Sequence, residues 1–170
     1  HVVQPRVGAV GAKLLYPDDT VQHAGVIIGL GGIAGHSFVG AYKDDPGYFN
    51  LIQSINNYSA VTAACLLVRK EAYWAVGGMD ETFEVEYNDV DFCLSLVEAG
   101  YYNVYLPHVE LYHYESATRG HPHQSKVSYE RHLREMQLFK NKWQAYIDHD
   151  PYYNPNLNRG VHDFSMDFSS

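Results

Sequence analysis

The spacing of apolar and polar residues divides the chain into short extended runs and three stretches of helical character. RVGAVGAKLLY (6–16) is small and apolar and predicts a tightly packed strand. A turn at DDT (18–20) leads into a second strand within VQHAGVIIGL (21–30), and the two predict a hairpin. Residues 31–50 carry Gly, Pro and Asp with no steady period and read as a loop. YSAVTAACLLV (58–68) is continuously apolar rather than alternating, the pattern of a strand buried on both faces. RKEAYWAVGG (69–78) predicts a short helix stopped by Gly77 and Gly78. In NDVDFCLSLVEAG (88–100), Val90, Cys93, Leu94 and Val97 share one helical face, and Gly100 ends it. YYNVYLP and VELYHY predict two short strands on either side of His108. Residues 124–147 predict a longer amphipathic helix with Tyr129, Leu133, Met136 and Trp143 inward. Glu130/Arg134 and Arg131/Glu135 are opposite charges four apart on that helix. Residues 148–170 predict an irregular tail that wraps the surface.

Mixed strands and helices around a buried strand define an α/β class, and 170 residues make a single domain, 1–170. A net charge of −8 without a basic run argues against a nucleic-acid or anionic-membrane binder. Cys65 and Cys93 each lie in an apolar run, which predicts two small buried hydrophobes and a reducing compartment. No apolar run approaches the ~18 residues of a membrane span, and no signal peptide is evident. The chain begins at HVVQPRV without Met, which reads as entry part-way into a larger domain. The 15 tyrosines suit sugar or nucleoside contacts, although ordinary packing accounts for most of them.

Candidate chemistry centres on EYNDVDFCLSL (86–96), which holds Asp89 and Asp91. Side chains two apart on a helix diverge by ~200°, so the two carboxylates cannot clamp one metal ion. Asn88 or Asp89 suits an N-cap, and Asp91 lies in the first turn; local physics favours capping. A single charged carboxylate at a helix N-terminus also suits a general base. GLGGIA (29–34) matches a dinucleotide-loop pattern, but neither the following helix nor the distant acid is present, so the glycines read as loop residues. His108, His113, His121 and His123 cluster without a nearby Cys, so sequence spacing alone does not make them a structural zinc site. Asp148-His149-Asp150 precedes Pro151 and reads as a solvated turn.

The segment AVTAACLLVRKEAYWAVGGMDETFEVEYNDVDFCLSLVEAGYYNVYLPHVELYHYESATRG resembles the C-terminal half of family 2 glycosyltransferases with the GT-A fold. It is most similar to the bacterial enzymes that build O-antigen and other cell-surface polysaccharides. GAKLLYPDDTVQHAGVIIGLGGIAGH and DPYYNPNLN extend the likeness, which runs roughly from Val7 to Phe164. The order and spacing of GGMDE, NDVDFCLSLVEAGY and YHYES carry it.

The resemblance implies a partial GT-A (nucleotide-diphospho-sugar transferase-like) fold, a mixed sheet flanked by helices, with the N-terminal nucleotide-binding half missing. In such enzymes the Asp of a Glu-Asp pair is the catalytic base; here the pair is Asn88-Asp89, and Asp89 takes that position. Asp91 matches a second, more structural acid. His113 matches the late metal-binding His. Thr62 and Ala63 would lie near the donor sugar, Asp80 and Glu81 toward the acceptor, and Arg119 could pair with a phosphate. The implied activity is inverting transfer from a nucleotide-sugar donor to a hydroxyl of a glycan or lipid-linked acceptor, with Mn²⁺ or Mg²⁺ as cofactor. The implied setting is cytoplasmic, at the inner face of the membrane for the whole protein. A half-domain would leave a sheet edge open to pairing in a homo-oligomer. The competing readings are a non-catalytic carbohydrate-binding or assembly module and, less favoured, a small metal-dependent hydrolase using the His cluster.

Overall fold

A computed structural model of the chain describes residues 2–114 and 125–167. Its centre is β1 (Val7–Leu15), all nine residues of which are buried. On one side β1 pairs in parallel with β7 (Tyr102–Tyr112). Its other edge is shared: β6 (Leu66–Val68) pairs antiparallel with Ala9–Gly11, and β2 (Val21–His23) with Leu14 and Leu15. β5 (Asn56–Tyr58) adds antiparallel to the far edge of β7, completing a mixed five-stranded sheet. β3 (Val26–Ile28) and β4 (Ala34–His36) form a separate two-stranded sheet. The small residues of β1 serve close packing, because a Cβ on Gly11 would stand 2.5 Å from that of Val61.

Among the described residues three α-helices pack with the sheet: α1 (Lys70–Ala75), α2 (Asn88–Glu98) and α3 (Lys126–Asp148). Phe92, Cys93, Leu94 and Leu96 of α2 join Phe139, Trp143 and Ile147 of α3 in one core with Ala9, Ala60 and Val61. A second core lies under the loops and the tail, built from Leu15, Val21, Ile27, Phe38, Tyr105, Tyr153 and Phe164 among others. α3 begins with a Ser125–Ser128 capping box, which satisfies free N–H groups in its first turn. Gly77, Gly78 and Gly100 adopt positive φ after α1 and α2, as chain stops require.

Several expectations need correction. Residues 58–68 are not one doubly buried strand. The chain leaves β5 at Tyr58, turns through a 3-10 segment at Ala63–Cys65, and enters β6 on another edge of the sheet. The buried stretch ends at Thr62, and Cys65 is only half-buried. The run 21–30 is broken at Gly25, whose φ of 104° turns the chain from β2 into β3. Residues 102–112 form one strand instead of two; a register shift opposite Ala12/Lys13 accommodates Pro107. On α3 the inward row is Glu135, Phe139, Trp143 and Ile147, while Tyr129 and Leu133 are exposed. Arg134 reaches Glu84 at 2.7 Å and Glu130 reaches Lys126 at 3.7 Å, so the expected Glu130/Arg134 pair is replaced; Arg131 and Glu135 do meet, at 3.8 Å. The tail is more than a surface wrap, since Tyr153, Leu157 and Phe164 are buried and Leu157 bridges to Met166. Asp150 is no solvated turn. It is fully buried and accepts from Ile28 N (2.6 Å), Ser59 Oγ (2.7 Å) and Tyr152 N (2.7 Å).

Candidate active site

α2 starts where Tyr87, held at φ 62°, turns the chain, and Tyr87 rather than Asn88 or Asp89 occupies the cap position. Asp89 still accepts one first-turn N–H, and the two carboxylates of that turn point apart. Asp89 Oδ2 accepts from Thr62 Oγ1 at 3.0 Å and from Ala63 N at 2.9 Å; Oδ1 accepts from Val90 N at 2.9 Å. A carboxylate offers about four lone-pair positions, so one on Oδ1 is left for a further donor. Asp89 is half-buried, which leaves it approachable. Asp91 is buried, and its Oδ1 accepts from Trp143 Nε1 and Lys142 Nζ, both at 2.7 Å. It ties α2 to α3 and does not face the Asp89 side.

A cleft of about 320 Å³ opens beside this turn, lined by Thr62 and Ala64 on one wall and by Tyr16, Gln22, His36, Val39, His113 and His162 elsewhere. Asp89 is not among its lining residues; it lies behind Thr62, whose hydroxyl donates to it. His113, just past the end of β7, is held by Gln22: Nδ1 lies 2.7 Å from Gln22 Oε1, and the His113 carbonyl accepts from Gln22 Nε2 at 3.3 Å. His36 Nδ1 lies 3.1 Å from the Gln22 carbonyl and 3.2 Å from His23 Nδ1. His23 is fully enclosed; burial, and then the neighbouring His36, pushes its imidazole well below the usual value and keeps it neutral. His162 Nδ1 donates to the His36 carbonyl at 2.6 Å.

The sequence-derived residues therefore separate into groups. Asp89, Thr62 and Ala63 are in direct hydrogen-bond contact, and Thr62 and His113 share one cleft. Asp80 and Glu81 do not line it. Asp80 caps its own turn by accepting from Thr82, which together with the nearby Lys142 at 3.6 Å holds its carboxyl below the usual range, and Glu81 is exposed. Arg119, His121 and His123 lie outside the described residues, and His108 is exposed on β7. Among the described residues no three His, Cys, Asp or Glu side chains gather to hold a metal ion. His113 fits such an ion as a single nitrogen ligand, because the oxygen facing Nδ1 leaves the lone pair on Nε2. Gln22, His36 and His162 were not singled out from sequence. Gln22 lies in a predicted strand and His36 in a predicted loop, and no local motif marks either of them.

The chain is 48% identical over 164 residues to an uncharacterised protein, y4gI, of Sinorhizobium fredii, covering 96% of this chain and 18% of that one. It is 36% identical over 163 residues to the O-antigen biosynthesis protein RfbC of Myxococcus xanthus, covering 91% of this chain and 12% of that protein. An N-acetylglucosaminyl-diphospho-decaprenol L-rhamnosyltransferase of Mycobacterium tuberculosis is 29% identical over 127 residues, 68% of this chain and 40% of the relative. These likenesses support a glycosyltransferase-like relationship. The chain spans less than a fifth of the first two relatives' length. No family model matches the chain, and no solved structure does. Among the described residues no helix is long and apolar enough to cross a membrane.

Proposed function

We propose that these residues form the acceptor-side part of an inverting family 2 glycosyltransferase of GT-A fold. Such a protein moves a sugar from a nucleotide-sugar donor to a hydroxyl of a glycan or lipid-linked acceptor in cell-surface polysaccharide synthesis, at the inner face of the membrane. The observation that carries the reading is the Asp89 carboxylate, bound to Ala63 N and to Thr62, the latter a residue of the cleft that also holds His113. The names of the relatives, O-antigen synthesis and rhamnosyl transfer, point the same way.

In this mechanism the acceptor hydroxyl attacks the anomeric carbon from the face opposite the diphosphate. The new C–O bond forms as the bond to the leaving diphosphate breaks, and the hydroxyl proton passes to Asp89. Thr62 and the Ala63 N–H fix one oxygen of that carboxylate, which leaves Oδ1 to take the proton. His113 would supply one nitrogen to a divalent ion, and Mn²⁺ accepts nitrogen more readily than Mg²⁺. The ion, when bound, would neutralise charge on the leaving diphosphate. Its other ligands, including an Asp-x-Asp, would come from substrate and from a nucleotide-binding part of the domain preceding these residues. Asp80, Glu81 and Arg119 would act on the acceptor and phosphate side.

The test is kinetics of Asp89→Asn in the full-length parent. Turnover should fall by ~10²–10⁴-fold with donor binding retained. Wild-type turnover would reduce Asp89 to an anchor for the 62–63 turn and sink the assignment.

A further inference from the structure

Gln22, the middle residue of β2, is 4% exposed and sits under the cleft. Its side chain makes two contacts with one residue, His113. Only the amide nitrogen can donate to a carbonyl, so the bond to the His113 carbonyl fixes the amide's orientation and turns Oε1 to the imidazole. An oxygen 2.7 Å from Nδ1 is satisfied only if Nδ1 carries the proton. Neutral His113 then has its lone pair on Nε2, the form a metal-ligating imidazole adopts when a neighbour holds its other nitrogen.

We propose that Gln22 is a positioning residue for the transfer reaction, fixing the ring orientation and tautomer of His113 so that Nε2 is presented as a ligand. The inference rests on the proposed role of His113, and it explains why an amide is buried at this point in β2. An apolar side chain would serve the strand equally well, but would release the ring.

Long-range ¹H–¹⁵N spectra of the metal-free chain test the tautomer directly. His113 should be protonated on Nδ1, as should His162, which donates to the His36 carbonyl and not to Gln22. In Gln22→Met, His113 should shift toward the Nε2-protonated form while His162 stays unchanged, which reports an intact fold. Gln22→Glu keeps an acceptor oxygen for Nδ1, while giving up the N–H that the His113 carbonyl accepts, and should keep Nδ1 protonated. In the full-length parent, Mn²⁺ titration followed by electron paramagnetic resonance should show binding weakened by about 10–100-fold in Gln22→Met, with most of the loss recovered in Gln22→Glu. An Nε2-protonated His113 in the wild-type chain overturns the proposal outright, whichever variants fold. Unchanged Mn²⁺ binding in Gln22→Met, beside a loss in His113→Ala, overturns the role of Gln22 alone. Unchanged binding in both variants removes the ion from His113, and this inference falls with it.

Discussion

Asp91→Asn separates what the two acids of α2 do. The change keeps the side-chain shape and an oxygen for Trp143 Nε1, but removes the charge that Lys142 faces at 2.7 Å. A hydrogen bond to a charged group contributes about 1.5–3 kcal/mol. Here the loss is reduced because Lys142 is 40% exposed and can turn to water or to Asp80. The expected cost is therefore about 1–2 kcal/mol, a fall in Tm of roughly 2–8 °C for a domain of this size. Asp91→Ala should cost about 1–3 kcal/mol more, because it orphans the buried Trp143 N–H. Asp89→Asn retains two of its three accepted bonds and should cost only about 1 kcal/mol. Urea unfolding of Asp91→Asn, Lys142→Met and the double variant isolates the pair. A coupling of at least about 0.5 kcal/mol is expected. Additivity within about 0.3 kcal/mol would show that the ion pair does not tie α2 to α3. Turnover lost in Asp91→Asn without loss of stability would refute its exclusion from the reaction.

Asp150→Asn should destabilise by about 1–3 kcal/mol at neutral pH, since one of the three buried donors then faces an N–H₂ group; chemical denaturation reads this. Burial raises the Asp150 carboxyl above its ordinary 3.8, so the folded state binds the proton more tightly than the unfolded state. Its contribution to stability should fall as pH rises from the ordinary value through the raised one, and Asp150→Asn should lack that slope. Gly11→Ala should cost about 1–3 kcal/mol by overpacking against Val61, measured as a lower urea midpoint with unchanged slope; a wild-type midpoint would show that β1 and the 60–62 segment are not tightly apposed.

What the sequence made legible follows from how local each signal is. α2 was readable because Val90, Cys93 and Leu94 recur at helical spacing and Gly100 stops the chain. β1 was readable because its small apolar residues have no competing period. The run 58–68 misled because apolar content does not show that Thr62 turns the chain, its hydroxyl accepting from Ala64 N. Two strands were expected around His108, but a bulge lets β7 continue through Pro107 and His108. Asp150 looked solvated because its partners, Ile28 and Ser59, lie about a hundred residues away in sequence. For the same reason the Gln22–His113 clamp was invisible: nothing near either residue announces the other. The divergence of Asp89 and Asp91 was deducible from helix geometry, whereas their partners Thr62 and Trp143 were not.

The shared edge of β1 has a consequence for the order in which the chain can fold. β2 and β6 are available to β1 early in synthesis, but β7 begins only at Tyr102. Translation proceeds at about 5–20 residues per second, so one side of this buried strand waits on the order of 5–20 s for its parallel partner. During that interval β1 presents a row of free N–H and C=O groups on a strand with no charged residue before Lys13. Any slower codon tract or destabilising change between Val68 and Tyr102 lengthens that exposure. In a long polypeptide, mispairing of β1 with another nascent edge is then the failure most to be expected, and solubility during synthesis should depend on the 69–101 segment more than its exposed surface suggests.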